Sequence, residues 1–209
     1  MKDTIMNLTT TSELPFESPI SGKTNLEFSG IAHLRDLTPG LGVLHLRGPE
    51  AVSVISRFLE GQADQDPLAI GEARPIQGGI LCRLASDEYL ILVDSIGDLG
   101  TYQNHQAGMV SGGHATLSDL SHGCGKLELG GPASTALLSR LCGLDFSEIS
   151  FPNGHVAQTS LAKVHATLVR MEGKDLAPKY IILIDRSLSA YVWEVMKAVI
   201  QDLTLEESS

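Results

Sequence analysis

Asp36-Leu-Thr-Pro-Gly-Leu-Gly-Val-Leu-His-Leu-Arg-Gly-Pro49 is written a second time as Asp119-Leu-Ser-His-Gly-Cys-Gly-Lys-Leu-Glu-Leu-Gly-Gly-Pro132. The offset is 83 residues (119 − 36), and it carries on through Ser56-Arg57 and Ser139-Arg140. Ten positions between Asp36 and Leu59 are identical at that offset, among them Gly40, Gly42, Gly48 and Pro49. Such self-similarity marks a duplicated structural unit. Farther on, Tyr89-Leu-Ile-Leu-Val-Asp94 matches Tyr180-Ile-Ile-Leu-Ile-Asp185 at an offset of 91 (180 − 89). The extra residues fall around Gly173-Lys-Asp-Leu-Ala-Pro178, a turn-rich stretch that takes an insertion as a hairpin loop does.

Each copy reads alike. Val43-Leu-His-Leu46 and Lys126-Leu-Glu-Leu129 alternate as half-buried strands do. Gly-Pro follows, and proline in a first helical turn gives up only an orphan N–H. Val52, Ile55 and Leu59 then share a helical face, as do Ala133, Leu137 and Leu141. Two strands come next in each copy: Gly79–Leu84 with Glu88–Val93, and Ala162–Leu168 with Lys179–Ile184. A last helix closes copy two, with Ser187 as its N-cap and a stripe at Leu188, Tyr191, Val192, Val195, Met196, Val199 and Leu203. Its counterpart, Ser95 to Met109, holds three glycines and predicts a poorer helix.

Two strand–helix–strand–strand–helix units predict one α+β domain with related, largely antiparallel sheets and helices on one face. The expected layout is a flexible segment over 1–25 and a single duplicated domain over 26–205. Repeat one runs from about 31 to 110 and repeat two from about 114 to 203. Ser111 to His114 links them, and the tail Glu206 to Ser209 frays.

Composition narrows the function classes. The formal net charge of −10, from 15 Lys+Arg against 25 Asp+Glu, opposes general binding to phosphate backbones and to anionic membranes. Apolar runs such as Tyr180–Ile184 are strand-length, far below the roughly 20 residues of a membrane helix. Three cysteines without CxxC spacing predict free thiols and a cytoplasmic location. The seven histidines, at 33, 45, 105, 114, 122, 155 and 165, show no metal-ligand spacing. His122 and Cys124 lie two apart and share a strand face, but no third group or oxyanion donor accompanies them. Gly40-Leu-Gly42 and Gly123-Cys-Gly125 precede strands, so they are not phosphate loops. Gly71 and Gly154 predict tight turns before strands.

Arg47-Gly-Pro-Glu-Ala51, Gly71 and the Asp87–Leu92 strand resemble the folate-binding domain of the glycine-cleavage T-protein superfamily. Three further stretches narrow the likeness: Ser118-Asp-Leu-Ser-His-Gly123, Phe151-Pro-Asn-Gly-His-Val-Ala-Gln-Thr159 and Asp185-Arg-Ser-Leu-Ser-Ala-Tyr-Val-Trp-Glu194. In order and spacing they are similar to the gamma subunit of heterotetrameric sarcosine oxidase, over about Ile31 to Leu203. The resemblance implies a subunit without a catalytic residue of its own, assembled with alpha, beta and delta chains. It also implies that FAD, FMN and NAD sit on alpha and beta, and that tetrahydrofolate binds alpha. The parent complex would oxidise sarcosine or a related N-methyl amino acid to an iminium, and tetrahydrofolate would take the one-carbon unit.

Two other readings stand beside it: a short folate-dependent aminomethyltransferase and a freestanding folate-binding regulatory module. The transferase branch follows its paired glycines with an acidic residue. Here Gly78-Gly-Ile-Leu-Cys-Arg-Leu84 holds no carboxylate to stabilise a cationic centre. No catalytic, cofactor or metal residue is therefore expected in this chain. Gln158, Thr159, Arg186 and Trp193 are the expected partner-contact residues. On helical spacing Trp193 lies about 100° from Val192 and about 200° from Tyr191, so it is expected off the buried stripe and against a partner.

Overall fold

The structure is a computed structural model that describes residues 17–20, 25–28, 30–60, 68–95, 114–173 and 177–207. All but Ser95 of the repeat-one helix expected over Ser95 to Met109, and most of the linker, fall outside them.

In chain order the elements are β1 (Leu26–Phe28), β2 (Ala32–Asp36), β3 (Gly42–Arg47), α1 (Ala51–Phe58), β4 (Ala73–Ile76), β5 (Gly79–Ala85) and β6 (Glu88–Val93). They continue with β7 (Thr116–Asp119), β8 (Cys124–Gly130), α2 (Ser134–Leu141), β9 (His155–Leu161), β10 (Val164–Glu172), β11 (Pro178–Asp185), a 3-10 turn (Arg186–Leu188) and α3 (Ser189–Glu207). One sheet has the order β1-β2-β8-β11-β10-β9 and the other β4-β5-β6-β3-β7. Every pairing among these strands is antiparallel. The α+β class with two largely antiparallel sheets is as expected.

The layering follows from strand alternation. Tyr89, Ile91 and Val93 of β6 point toward α1, in a core that includes Leu44, Val54, Ile55 and Leu59. Tyr180, Ile182 and Ile184 of β11 point toward α2 and α3, against Leu137, Leu138, Met196 and Ile200. The intervening Leu90 and Leu92 of β6 meet Ile181 and Leu183 of β11 in a third cluster between the sheets. Strands buried on both faces read as continuous apolar runs, as these do. The helices therefore cover the two outer faces, one set per sheet, instead of lying together on one face.

The repeats also exchange strands. β2, at the start of repeat one, pairs with β8 in the repeat-two sheet. β7, at the start of repeat two, pairs with β3 in the repeat-one sheet. The Asp-Leu-Thr/Ser turn that follows each exchanged strand stitches the crossing. Asp36 Oδ1 accepts from Thr38 N at 2.9 Å, and Asp119 Oδ1 from Ser121 N at 2.8 Å. Thr38 Oγ1 accepts from Lys126 N at 3.0 Å, and Ser121 Oγ from Val43 N at 2.9 Å. Leu37 N donates to Lys126 O at 2.8 Å, and Leu120 N to Val43 O at 2.9 Å. Gly48 and Gly131, at φ +134° and +109°, permit the close approach: a Cβ on either would strike the backbone at His114 or Ile31, again equivalent positions.

Several local expectations change. The prolines lie just outside their helices, because Glu50 and Ala133 occupy the N-cap positions. Ala162 and Lys163 form the β9–β10 turn and do not open a strand. Ile20, in the stretch before β1, is 1% exposed and belongs to the larger core cluster with Leu34, Leu127 and Trp193.

Candidate functional site

The four residues expected at a partner contact do not form one surface. Gln158 is exposed on β9 and lines a cleft between the sheets. Its neighbour Thr159 points the opposite way, as strand alternation requires, with its hydroxyl 3.3 Å from Cys142 Sγ. Arg186 opens the 3-10 turn. Its backbone N–H donates to Gly123 O at 3.0 Å, and its guanidinium donates to the carbonyl of Glu17, tying down the N-terminal stretch.

Trp193 is 1% exposed and belongs to the main core, so the expectation of a partner-facing ring is corrected. The reason is helix phase. The α-helix starts at Ser189, and Leu188 lies in the preceding 3-10 turn, where residues advance about 120° rather than 100°. Counting Leu188 as part of the helix tilted the inferred stripe. The buried set is Val192, Trp193, Met196 and Ile200, and Trp193 to Ile200 is a seven-residue step along one face. Leu188 and Tyr191, expected inside, are 40% and 49% exposed. The cap also shifts by two residues: Asp185 accepts from Ser187 N at 2.8 Å and from the Ser187 hydroxyl, which holds the Asp185 carboxyl below its ordinary range.

The cleft holds about 270 Å³. Val43, Leu90 and Leu183 are among its apolar lining, and His45, Glu88, Gln158, His165 and Thr167 among its polar lining. His45 Nε2 lies 2.8 Å from Glu88 Oε1. At the equivalent place in repeat two, Glu128 Oε2 lies 3.8 Å from Lys179 Nζ, so the pair is kept with the carboxylate on the other strand. Glu128 also takes His33 at 3.1 Å and Arg35 at 3.4 Å, and these residues line a separate groove of about 690 Å³.

Sequence reasoning missed Lys126. It is fully buried, and its ammonium donates to Leu41 O at 2.8 Å and Ser121 O at 3.0 Å, one carbonyl from each repeat's turn. Loss of solvent pulls its pKa down to about 8, although Asp36 and Asp119 oppose the shift. A lysine on an alternating strand reads as solvent-facing; here it pairs with Leu183, on the face that packs between the sheets.

Two of the thiols are poor nucleophiles. Burial pushes both Cys82 and Cys124 up, away from the thiolate form. His122 is exposed in the turn before β8. Among the described residues no group of three or more His, Cys, Asp or Glu stands together to hold a metal ion. No described helix is long and apolar enough to cross a membrane.

Comparison with solved structures shows the same architecture elsewhere. A chain of heterotetrameric sarcosine oxidase from Corynebacterium sp. U-96, in complex with pyrrole 2-carboxylate, superposes with a TM-score of 0.70 at 22% identity, over 86% of this chain and 89% of that one. The glycine cleavage system aminomethyltransferase T from Bartonella henselae gives 0.62 at 19% identity, over 80% of this chain but only 45% of that one. These likenesses establish the fold. No curated protein sequence matches the chain. The model of the family described as sarcosine oxidase, gamma subunit (SoxG) matches residues 68–202, about two thirds of the sequence. The chain belongs to the sarcosine oxidase gamma subunit family.

Proposed function

We propose that this chain serves as the gamma subunit of a heterotetrameric sarcosine oxidase, beside alpha, beta and delta chains, and supplies contact surface rather than reacting groups. The match of the gamma-family model over residues 68–202 carries the reading. Mutual coverage supports it, since this chain and the Corynebacterium chain account for 86% and 89% of each other. In this reading the partner chains hold the flavins, NAD and tetrahydrofolate, and the substrate is sarcosine or a related N-methyl amino acid.

The aminomethyltransferase alternative is not favoured. The chain spans less than half of that enzyme. Cys82, in the strand after Gly78-Gly79, is fully buried in the inter-sheet core with its thiol pushed up by burial. It offers no anionic group to a cationic one-carbon centre.

The purified chain alone is expected to oxidise no sarcosine, to show no flavin absorbance and to bind tetrahydrofolate only weakly. Co-expression with the three partner chains should give a complex with sarcosine-dependent oxygen uptake that carries this chain through purification. A yellow, active preparation of the chain alone contradicts the reading. So does a low-micromolar tetrahydrofolate affinity, about −8 kcal/mol, which favours the folate-binding module.

A further inference from the structure

The inter-sheet cleft has a polar wall where packing between two sheets asks for apolar side chains. Thr167 of β10 stands between Gln158 of β9 and Leu183 of β11 in the strand register. Its neighbours Ala166 and Leu168 belong to the core under the helices, so Thr167 faces the other sheet. It is 7% exposed and lines the cleft. Its hydroxyl makes no hydrogen bond to any described residue, and neither do the side chains of Gln158 and His165, which line the cleft with it. A buried hydroxyl left in this way calls for a partner from outside the chain.

The duplication supplies an internal control. Ile80 is the repeat-one equivalent of Thr167, since Ile80 pairs with Leu92 as Thr167 pairs with Leu183. Pro75, paired with Ile80, corresponds to Gln158, and Leu41 corresponds to Cys124. Ile80 and Leu41 pack against the inter-sheet cluster. Repeat two carries a hydroxyl, an amide and a thiol at those three positions. That choice gives up apolar burial, so stability does not account for it.

Charge and size select the ligand. Glu88 and Asp185 line the cleft, and no described lysine or arginine does. Glu88 uses Oε1 for His45, and its Oε2 has no partner among the described residues. With the Thr167 hydroxyl and the Gln158 carbonyl, it offers three acceptors beside the apolar Val43, Leu90 and Leu183. An anion meets like charge there, whereas an ammonium group meets acceptors. The volume of about 270 Å³ lies under the roughly 300–1,000 Å³ of drug-sized sites, so the ligand is small.

We infer that the cleft is a binding site for a small protonated amine with a short apolar body, its ammonium held by Glu88, Thr167 and Gln158. The inference stands apart from the gamma-subunit reading and assigns no reacting group to the chain. A ligand that also carries a carboxylate, as an amino acid does, is disfavoured by Glu88 and Asp185.

The test titrates the full-length chain with n-butylamine, n-butanamide and butyrate, following the methyl resonances of Val43, Leu90 and Leu183 by NMR. n-Butylamine should shift these methyls saturably, with a dissociation constant of about 10 mM or below. It should bind about tenfold or more tightly than butyrate, with n-butanamide between the two. Thr167→Val keeps the side-chain shape without the hydroxyl and should weaken n-butylamine by about fivefold. Glu88→Gln should weaken it by about tenfold and bring it level with n-butanamide. An absence of saturable shifts with n-butylamine overturns the site. So does butyrate binding as tightly as n-butylamine, or an n-butylamine affinity unchanged in both variants. If Thr167→Val proves unstable, Glu88→Gln decides, because the Glu88 side chain is partly exposed.

Discussion

Glu72 and His155 hold the same place in the two repeats, 83 positions apart (155 − 72), and they pair with each other across an antiparallel bridge. The flanking bonds are equivalent: Ala73 N donates to Gly154 O at 2.7 Å, and Val156 N to Gly71 O at 2.8 Å. Gly71 and Gly154 both take positive φ, 89° and 75°, to make the turn. The pseudo-twofold of the duplication thus passes through this bridge and joins the edges of the two sheets.

A chain closed by that bridge and by two exchanged strands should unfold as one unit. Trp193, the only tryptophan, reports on repeat two, while far-ultraviolet circular dichroism reports on both repeats. The two denaturation curves should coincide. Fragments 26–95 and 114–207, each deprived of the strand it borrows, should not fold alone. Separate transitions, or a folded fragment, contradict this.

Ser121 tests the stitch at the crossing. Its hydroxyl accepts from the buried Val43 N–H, and Ser121→Ala leaves that donor without its acceptor. The expected loss is about 1–3 kcal/mol in denaturant unfolding. Thr38→Val, at the equivalent position, should cost a similar amount, because Thr38 receives Lys126 N.

Trp193→Ala should destabilise the chain by about 3–5 kcal/mol, the range for deleting a buried aromatic ring. The folded fraction should assemble with partners as the wild type does. A loss within about 1 kcal/mol, coupled to weaker assembly, would return Trp193 to an interface role.

Lys126 gives a pH signature. Its folded pKa of about 8 lies below the ordinary 10.5. Between those values the unfolded chain holds the proton and the folded chain does not, so unfolding free energy rises with pH. The rise is at most about 1.4 kcal/mol per pH unit from this group. Below pH 8 both states are charged and the contribution is flat. The wild type should gain stability relative to Lys126→Met between pH 8 and 10. Parallel stability profiles for the two proteins count against the buried ammonium.

The duplication and the central strands were legible because Gly-Pro punctuation and continuous apolar runs survive in both copies. The partnering of β2 and β7 was not. Ala32-His-Leu-Arg-Asp36 alternates in either sheet, and nothing local says which copy it joins. The reciprocal errors at Tyr191 and Trp193 share one origin, the 3-10 turn that resets helix phase at Leu188. Arg170 was missed because its function is internal: it is 4% exposed, and its guanidinium holds the carbonyls of Phe146 and Phe151.

Membership in the gamma family makes the composition of the native complex the most direct test. The chain, tagged and co-expressed with alpha, beta and delta chains, is purified and weighed by native mass spectrometry. The predicted mass is one copy of each chain with bound flavin, and omission of this chain should leave no complex of that mass. A flavin-bearing complex of alpha, beta and delta that assembles and turns over sarcosine fully without this chain would contradict the account.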